Sequence, residues 1–180
     1  MGVALAQTLG LPYVDGDDLH SQSCIAKMTA GQPLTDIDRK PWLELIRMTA
    51  EHMSLQQQAD VKLTGRSGVV VACSALKKYY RDILRGWKQV VPEADTSPEH
   101  LEPLHPDMLA TYFVFIKGTR EVLLERMEKR TGHYMKPAML DSQLSTLESP
   151  EGEDNVIVVS AEDTTLEQLE KVREGMLEDW

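Results

Sequence analysis

Long apolar runs, a cationic excess and closely spaced cysteines are all missing from this sequence, and each absence removes a class of function. No apolar stretch reaches the roughly 20 residues that a membrane-spanning helix requires. The opening Met1-Gly2-Val3-Ala4-Leu5-Ala6 lacks the basic flank of a secretory leader, and Ala6 stands where a myristoylation signal wants Ser or Thr. These features predict a cytoplasmic protein with no membrane partner. Lys and Arg number 19 against 29 Asp and Glu, a formal net charge of −10, which argues against a general nucleic-acid binder and gives no attraction to anionic membrane surfaces. The only thiols, Cys24 and Cys73, have no C-x-x-C spacing and read as structurally inert groups in a reducing compartment.

What is present is the composition of a soluble globular domain. The 180 residues are 42% hydrophobic and 27% charged, enough for one full core and too few for two ordinary domains, so a single domain over 1–180 is expected. The organising stretch is Gly68-Val69-Val70-Val71-Ala72-Cys73-Ser74. A β-branched run without polar alternation predicts a strand covered on both faces, as in the centre of a parallel sheet. Ser74 is suited to cap a helix from Ala75 to about Gly86. Lys77 and Lys78 then fall in its first turn, where the helix dipole disfavours cations. At the carboxyl end of a parallel strand, that placement suggests an anionic ligand; the alternative is two solvated surface lysines.

Along the chain, Val3, Leu5, Ala6 and Leu9 space as one helical face ending at Gly10. Pro12-Tyr13-Val14 reads as a short strand running into Asp15-Gly16-Asp17-Asp18. In extended backbone Asp15 and Asp17 share a side and can hold a metal-bound water or a substrate hydroxyl; the competing reading is a turn. Helices are expected from about Ser21 to Ala30 and, capped by Asp36 or Asp38, to about Ala59. Arg39 in the first turn of the second is explained most plainly as an ion pair with Asp36 or Asp38. Residues 87–107, with Pro92, Pro98, Pro103, Pro106 and several acidic side chains, keep no helical or strand period and read as an acidic surface insertion. Thr111 to Lys117 forms a second buried strand, and Thr119 caps a helix with Val122, Leu123, Leu124 and Met127 facing the core. Arg126, Arg130 and His133 line one side of its far end, suited to a lid over phosphates or simply to an exposed charged end. A short helix from Pro137 to Leu147, a strand from Asn155 to Ser160 and a helix from Thr165 to Leu177 complete the chain.

Strands alternating with helices predict an α/β fold with a parallel sheet. Carboxylates for a metal or a hydroxyl, together with dispersed cations, are the components of phosphoryl transfer. No G-x-x-x-x-G-K-S/T stretch occurs to cradle β- and γ-phosphates.

The motifs Asp15-Gly16-Asp17-Asp18-Leu19-His20, Lys27-Met28 with Gly31-Gln32-Pro33-Leu34-Thr35-Asp36, and Asp38-Arg39-Lys40-Pro41-Trp42-Leu43 resemble those of the gluconokinases, small P-loop kinases. So do Ala72-Cys73-Ser74-Ala75-Leu76-Lys77-Lys78-Tyr79-Tyr80-Arg81-Asp82, Gly132-His133, and Met139-Leu140-Asp141-Ser142-Gln143 running to Leu147-Glu148. The resemblance implies a P-loop NTPase fold of the nucleoside-kinase type and ATP-dependent phosphorylation of D-gluconate with Mg²⁺, by a cytoplasmic protein that is commonly a homodimer. It further implies that Asp17 accepts the proton of the 6-hydroxyl while Asp15 holds Mg²⁺ through water. His20, Arg39, Lys77, Arg81, His133 and Gln143 would bind gluconate, and Arg126 and Arg130 would reach the transferred phosphate and the nucleotide. In that family a central first strand and the phosphate loop precede the helix that opens this sequence. Without that strand, two inner sheet edges are expected, or direct pairing of the flanking strands. A truncated reading of the gene or an alternative start, with about ten to twenty residues upstream, is one expectation; the competing one is an inactive relative that still binds gluconate or a partner. A kinase of the same class acting on shikimate or a nucleotide is a further alternative.

Overall fold

The computed structural model describes residues 1–59, 67–87, 109–129 and 137–177. Helix α1 (Gly2–Leu9) buries Leu5 and Ala6 and ends at Gly10, whose φ of 66° is the left-handed conformation that favours glycine. Strand β1 (Tyr13–Asp15) leads into a 3₁₀ turn, Gly16–Leu19. Helix α2 (Gln22–Thr29) is capped by Ser21, whose Oγ accepts from the Cys24 N–H at 3.3 Å. Helix α3 (Asp36–Ala59) begins with a reciprocal cap: Thr35 donates N–H and Oγ1–H to Asp38 Oδ2 at 2.9 and 2.8 Å, and the Asp38 N–H returns to Thr35 Oγ1 at 3.3 Å. Strand β2 (Val70–Ala72) and helix α4 (Lys78–Arg85) follow, and Gly86 stops the helix with a φ of 79°. Then come β3 (Phe113–Lys117), α5 (Arg120–Glu128) capped by Thr119, α6 (Pro137–Thr146), β4 (Val156–Ser160) and α7 (Thr165–Leu177).

The strands form two parallel pairs. β1 joins β2 with Tyr13 opposite Val70 and Asp15 opposite Ala72; β3 joins β4 with Phe113 opposite Val156 and Lys117 opposite Ser160. Parallel neighbours need crossovers, supplied by α2 and α3 in the first pair and by α5 and α6 in the second. Both pairs feed the same two apolar clusters. Val71 and Phe113 pack on Trp42, Leu43, Ile46, Tyr80, Ile83 and Leu84, while Val70 and Val114 pack on Leu5, Val159 and Val172.

β2 and β3 nevertheless do not pair with each other, so each keeps an inner edge without a strand partner among the described residues. The same feature corrects the reading of these strands as fully covered. Val70, Val71 and Ala72 are half-buried, as are Phe113 to Ile116.

The start of α4 also differs from expectation. Ser74 does not cap it; Lys77 is the N-cap, with no capping hydrogen bond from its side chain. The anion that the dipole favours there comes from a distant residue. Glu148 Oε2 accepts the Lys78 N–H at 2.7 Å, and the Glu148 N–H donates to Leu76 O at 2.8 Å. Lys78 itself pairs with Asp82. On α5, Val122, Leu123, Leu124 and Met127 are half-buried. Trp87 is exposed, with the Arg85 guanidinium 4.9 Å from its ring; the remainder of the acidic 87–107 segment lies outside the described residues.

Candidate active site

The site grows from the carboxyl ends of β1 and β2, adjacent through the Asp15–Ala72 register. A Cβ at Gly16 would stand 2.6 Å from Ala72 O and 3.1 Å from Cys73 Cβ, so only glycine lets the chain leave the strand here. Asp15 then folds its side chain over the following turn, and Oδ1 accepts the Asp17 N–H at 3.1 Å. Of the two readings of Asp15-Gly16-Asp17, the turn is the one found, in place of extended backbone. An Asx turn satisfies a backbone donor that strand geometry would leave unpaired once β1 ends, and it separates the carboxylates into a half-buried Asp15 and an exposed Asp17.

Helix α3 supplies the floor beneath that turn. The Trp42 indole N–H donates to Gly16 O at 2.7 Å, and the His20 imidazole stacks on the Trp42 ring at 4.2 Å and 15°. His20 Nε2 lies 4.0 Å from Asp17 Oδ1, while Nδ1 is buried with no hydrogen-bond partner among the described residues. Burial lowers the His20 pKa below the ordinary imidazole value; Asp17 opposes that shift and Arg39 adds to it. The ring is therefore neutral at pH 7. Next to it, burial first and Asp17 second push the Cys73 thiol up to about 12, which keeps it protonated and inert as a nucleophile.

Arg39 is 6% exposed, and its pairing differs from the plainest expectation. Asp38 is taken by Lys27 and Thr35, and Asp36 accepts from Lys77 at 2.8 Å and from the Tyr80 hydroxyl. Arg39 has only neutral partners, Leu34 O at 3.4 Å and Ser74 Oγ at 3.3 Å, and no carboxylate within ion-pair distance among the described residues. A buried guanidinium without a counter-ion is costly, and an arriving anion relieves that cost. Arg39 and Lys77 also flank one ring, at 5.9 and 5.7 Å from the Tyr80 centroid.

Arg81 is enclosed elsewhere. At 1% exposure it holds Glu153 through Nε and NH2 and the carbonyls of Ala75 and Leu76 through NH1, so each of its nitrogens has a partner inside the protein. Within the protein it acts as an internal strut, with the fixed carboxylate that a fully buried guanidinium needs. Arg126 is exposed and donates to Asp163 O at 3.1 Å. Gln143 is half-buried on α6, which the Arg120–Asp141 pair ties to α5. Arg130 and His133 lie outside the described residues. Trp42 escaped sequence reading as a site residue because its spacing is that of a core position. The signal available was the indole N–H, which needs an acceptor when buried.

No group of three or more His, Cys, Asp or Glu side chains that could hold a metal occurs among the described residues. A single half-buried carboxylate such as Asp15 fits a Mg²⁺ ion carried mainly by phosphate and water, the usual arrangement for that ion, and not an all-protein cage.

No protein-family model matches the chain. It is 40% identical over 177 residues to a probable gluconokinase of Mus musculus, covering 98% of this chain and 89% of that one. Over 171 residues it is 37% identical to a probable gluconokinase of Schizosaccharomyces pombe, covering 95% and 77%. Among solved structures, a gluconokinase from Sinorhizobium meliloti 1021 superposes with a TM-score of 0.70 at 37% identity, covering 98% of this chain and 83% of that one. A sugar kinase from Janibacter sp. HTCC2649 does so with a TM-score of 0.72 at 34% identity, covering 97% and 84%. With identity at this level across nearly its whole length, and the same arrangement of parallel strands and helices, the chain belongs to the gluconokinase family.

Proposed function

We propose that this protein is a P-loop-type kinase domain that phosphorylates D-gluconate at the 6-hydroxyl, using ATP and Mg²⁺. The observation that carries the reading is Arg39, a buried cation with no carboxylate within ion-pair distance among the described residues, beside a buried His20 Nδ1 with no hydrogen-bond partner among them and an exposed Asp17. A polyhydroxy carboxylate complements all three. Its carboxylate suits Arg39, with Lys77 beside it; a hydroxyl suits His20 Nδ1; and the reacting hydroxyl suits Asp17, whose carboxylate accepts the proton as the oxygen attacks. Asp15 would hold Mg²⁺ through water, and the ion supplies charge neutralisation on the nucleotide phosphates. Arg126 and Arg130 would meet the nucleotide and the transferred group, with His133 and Gln143 toward the sugar. A cytoplasmic homodimer accompanies this reading.

Binding without phosphoryl transfer is the second reading, and turnover is what separates it from the first. A panel of gluconate, shikimate and AMP, each tested by calorimetry and by ATP-dependent product formation, separates the readings. Gluconate-dependent turnover that Asp17→Asn abolishes supports the kinase. Gluconate binding with no turnover supports the binding module, and preference for shikimate or AMP overturns the choice of acceptor.

A further inference from the structure

Trp42 is 3% exposed, on the second turn of a long helix, and its spacing alone makes it an ordinary core residue. Its contacts are more specific than that. The indole N–H is the only polar group on the ring, and it ends on the carbonyl of Gly16, the residue joining Asp15 to Asp17. The ring face carries the imidazole of His20, the residue at the other end of the same 3₁₀ turn, and the His20 backbone N–H donates to Asp17 O at 3.3 Å. One side chain therefore holds both ends of the turn that presents Asp17. Gly16 is packed against Ala72 O and Cys73 Cβ, so the turn is braced from the β2 side as well. Among the described residues His20 Nε2, at 4.0 Å, is the ion-pair partner of the Asp17 carboxylate, and the direction of that carboxylate follows the turn that carries it.

We propose, on the reading of Asp17 as the proton acceptor, that Trp42 is a positioning residue for phosphoryl transfer. It acts through the Gly16 carbonyl and the His20 ring and does not touch the substrate. A near-attack alignment of hydroxyl and base tolerates little displacement, so loosening this turn lowers the rate of the chemical step more than it weakens binding.

Trp42→Phe tests this, because it keeps an aromatic surface under His20 and deletes the N–H. Expected are a kcat about tenfold lower, with KM for gluconate within about twofold of the parent value. Hydrogen exchange at the His20 amide should rise by a similar factor while the middle of α3 keeps its protection. Ile83→Val, in the same apolar cluster but away from the turn, controls for general loosening of the core and should leave kcat unchanged. The exchange measurement reads the turn whether or not the 180-residue chain turns over. Unchanged exchange at His20 overturns the proposal, as does a parent-like kcat in Trp42→Phe when Asp17→Asn is inactive. Turnover that survives Asp17→Asn instead overturns the underlying reading of Asp17.

Discussion

Two arginines of this chain, both nearly inaccessible to water, illustrate opposite uses of burial. Arg81 has a carboxylate and two carbonyls; Arg39 has a carbonyl and a hydroxyl, both neutral. Replacing an uncompensated buried charge by an apolar side chain of similar length removes a desolvation cost, whereas removing a partner from a buried pair strands the other charge. Arg39→Met is therefore expected to hold or raise the thermal midpoint while gluconate affinity falls by about one to two orders of magnitude, the worth of a charge-assisted hydrogen bond. Arg81→Met should do the reverse, with a lower midpoint and near-parent affinity among the molecules that remain folded. Thermal melts and gluconate calorimetry on the two variants check both. A destabilised Arg39→Met with unaltered affinity would make that residue a structural one. Sequence spacing could not distinguish the pair. Each lies within a family motif, and only the third dimension shows that Asp38 is drawn off by Lys27 and that Glu153 reaches back to Arg81.

At the scale of elements, much was legible because the signals are local. Thr119 caps its helix as expected, the helix expected from about Ser21 starts just after that residue, and Gly10 and Gly86 end theirs in left-handed conformations. What was not legible came from far along the chain. The first turn of α4 is completed by Glu148, which no window around Ser74 contains. The cap of α3 is intermediate: Asp38 takes part as expected, but as the reciprocal partner of Thr35. The hydrogen bond from Lys27, then those from Thr35, hold the Asp38 carboxyl down to about 2 from an ordinary 3.8. A depressed folded pKa gives stability that is present above the unfolded value and lost as pH falls through the folded one. The start of α3 should thus hold above pH 3.8 and loosen as pH falls toward about 2. Amide exchange at Asp38 and Arg39 through that window should rise in the parent. Asp38→Asn should show raised exchange already at neutral pH, and Thr35→Ala should cost about 1 kcal/mol. Protection that is flat across the window would remove Asp38 from the cap.

For the whole molecule, the decisive fact is that two parallel strand pairs share apolar clusters without sharing a ladder. Among the described residues no backbone hydrogen bond joins β2 to β3, so there the tie between the halves falls to apolar contact and a few polar bridges. Arg47 reaches Leu84 O at 2.9 Å and Thr111 Oγ1 at 3.0 Å, and Glu148 closes on Leu76 and Lys78. Glu153, just ahead of β4, carries both Arg81 at 2.6 Å and Arg85 at 3.0 Å from α4. Those two guanidiniums, Arg81 first, keep the Glu153 carboxyl below its usual range. Glu153→Gln leaves buried Arg81 facing a neutral amide, while Arg85 keeps Asp82 at 3.5 Å, a loss of about 3 kcal/mol by comparison with other broken buried pairs. Because that loss falls on the junction, it should also divide the unfolding transition. In urea, methyl signals of Ile46 on α3 and Val159 in β4 are expected to disappear together in the parent and at separate midpoints in Glu153→Gln. Coincident midpoints in the variant would mean that the shared apolar clusters alone bind the two halves. The polar bridges would then be stabilising without being what makes the fold cooperative.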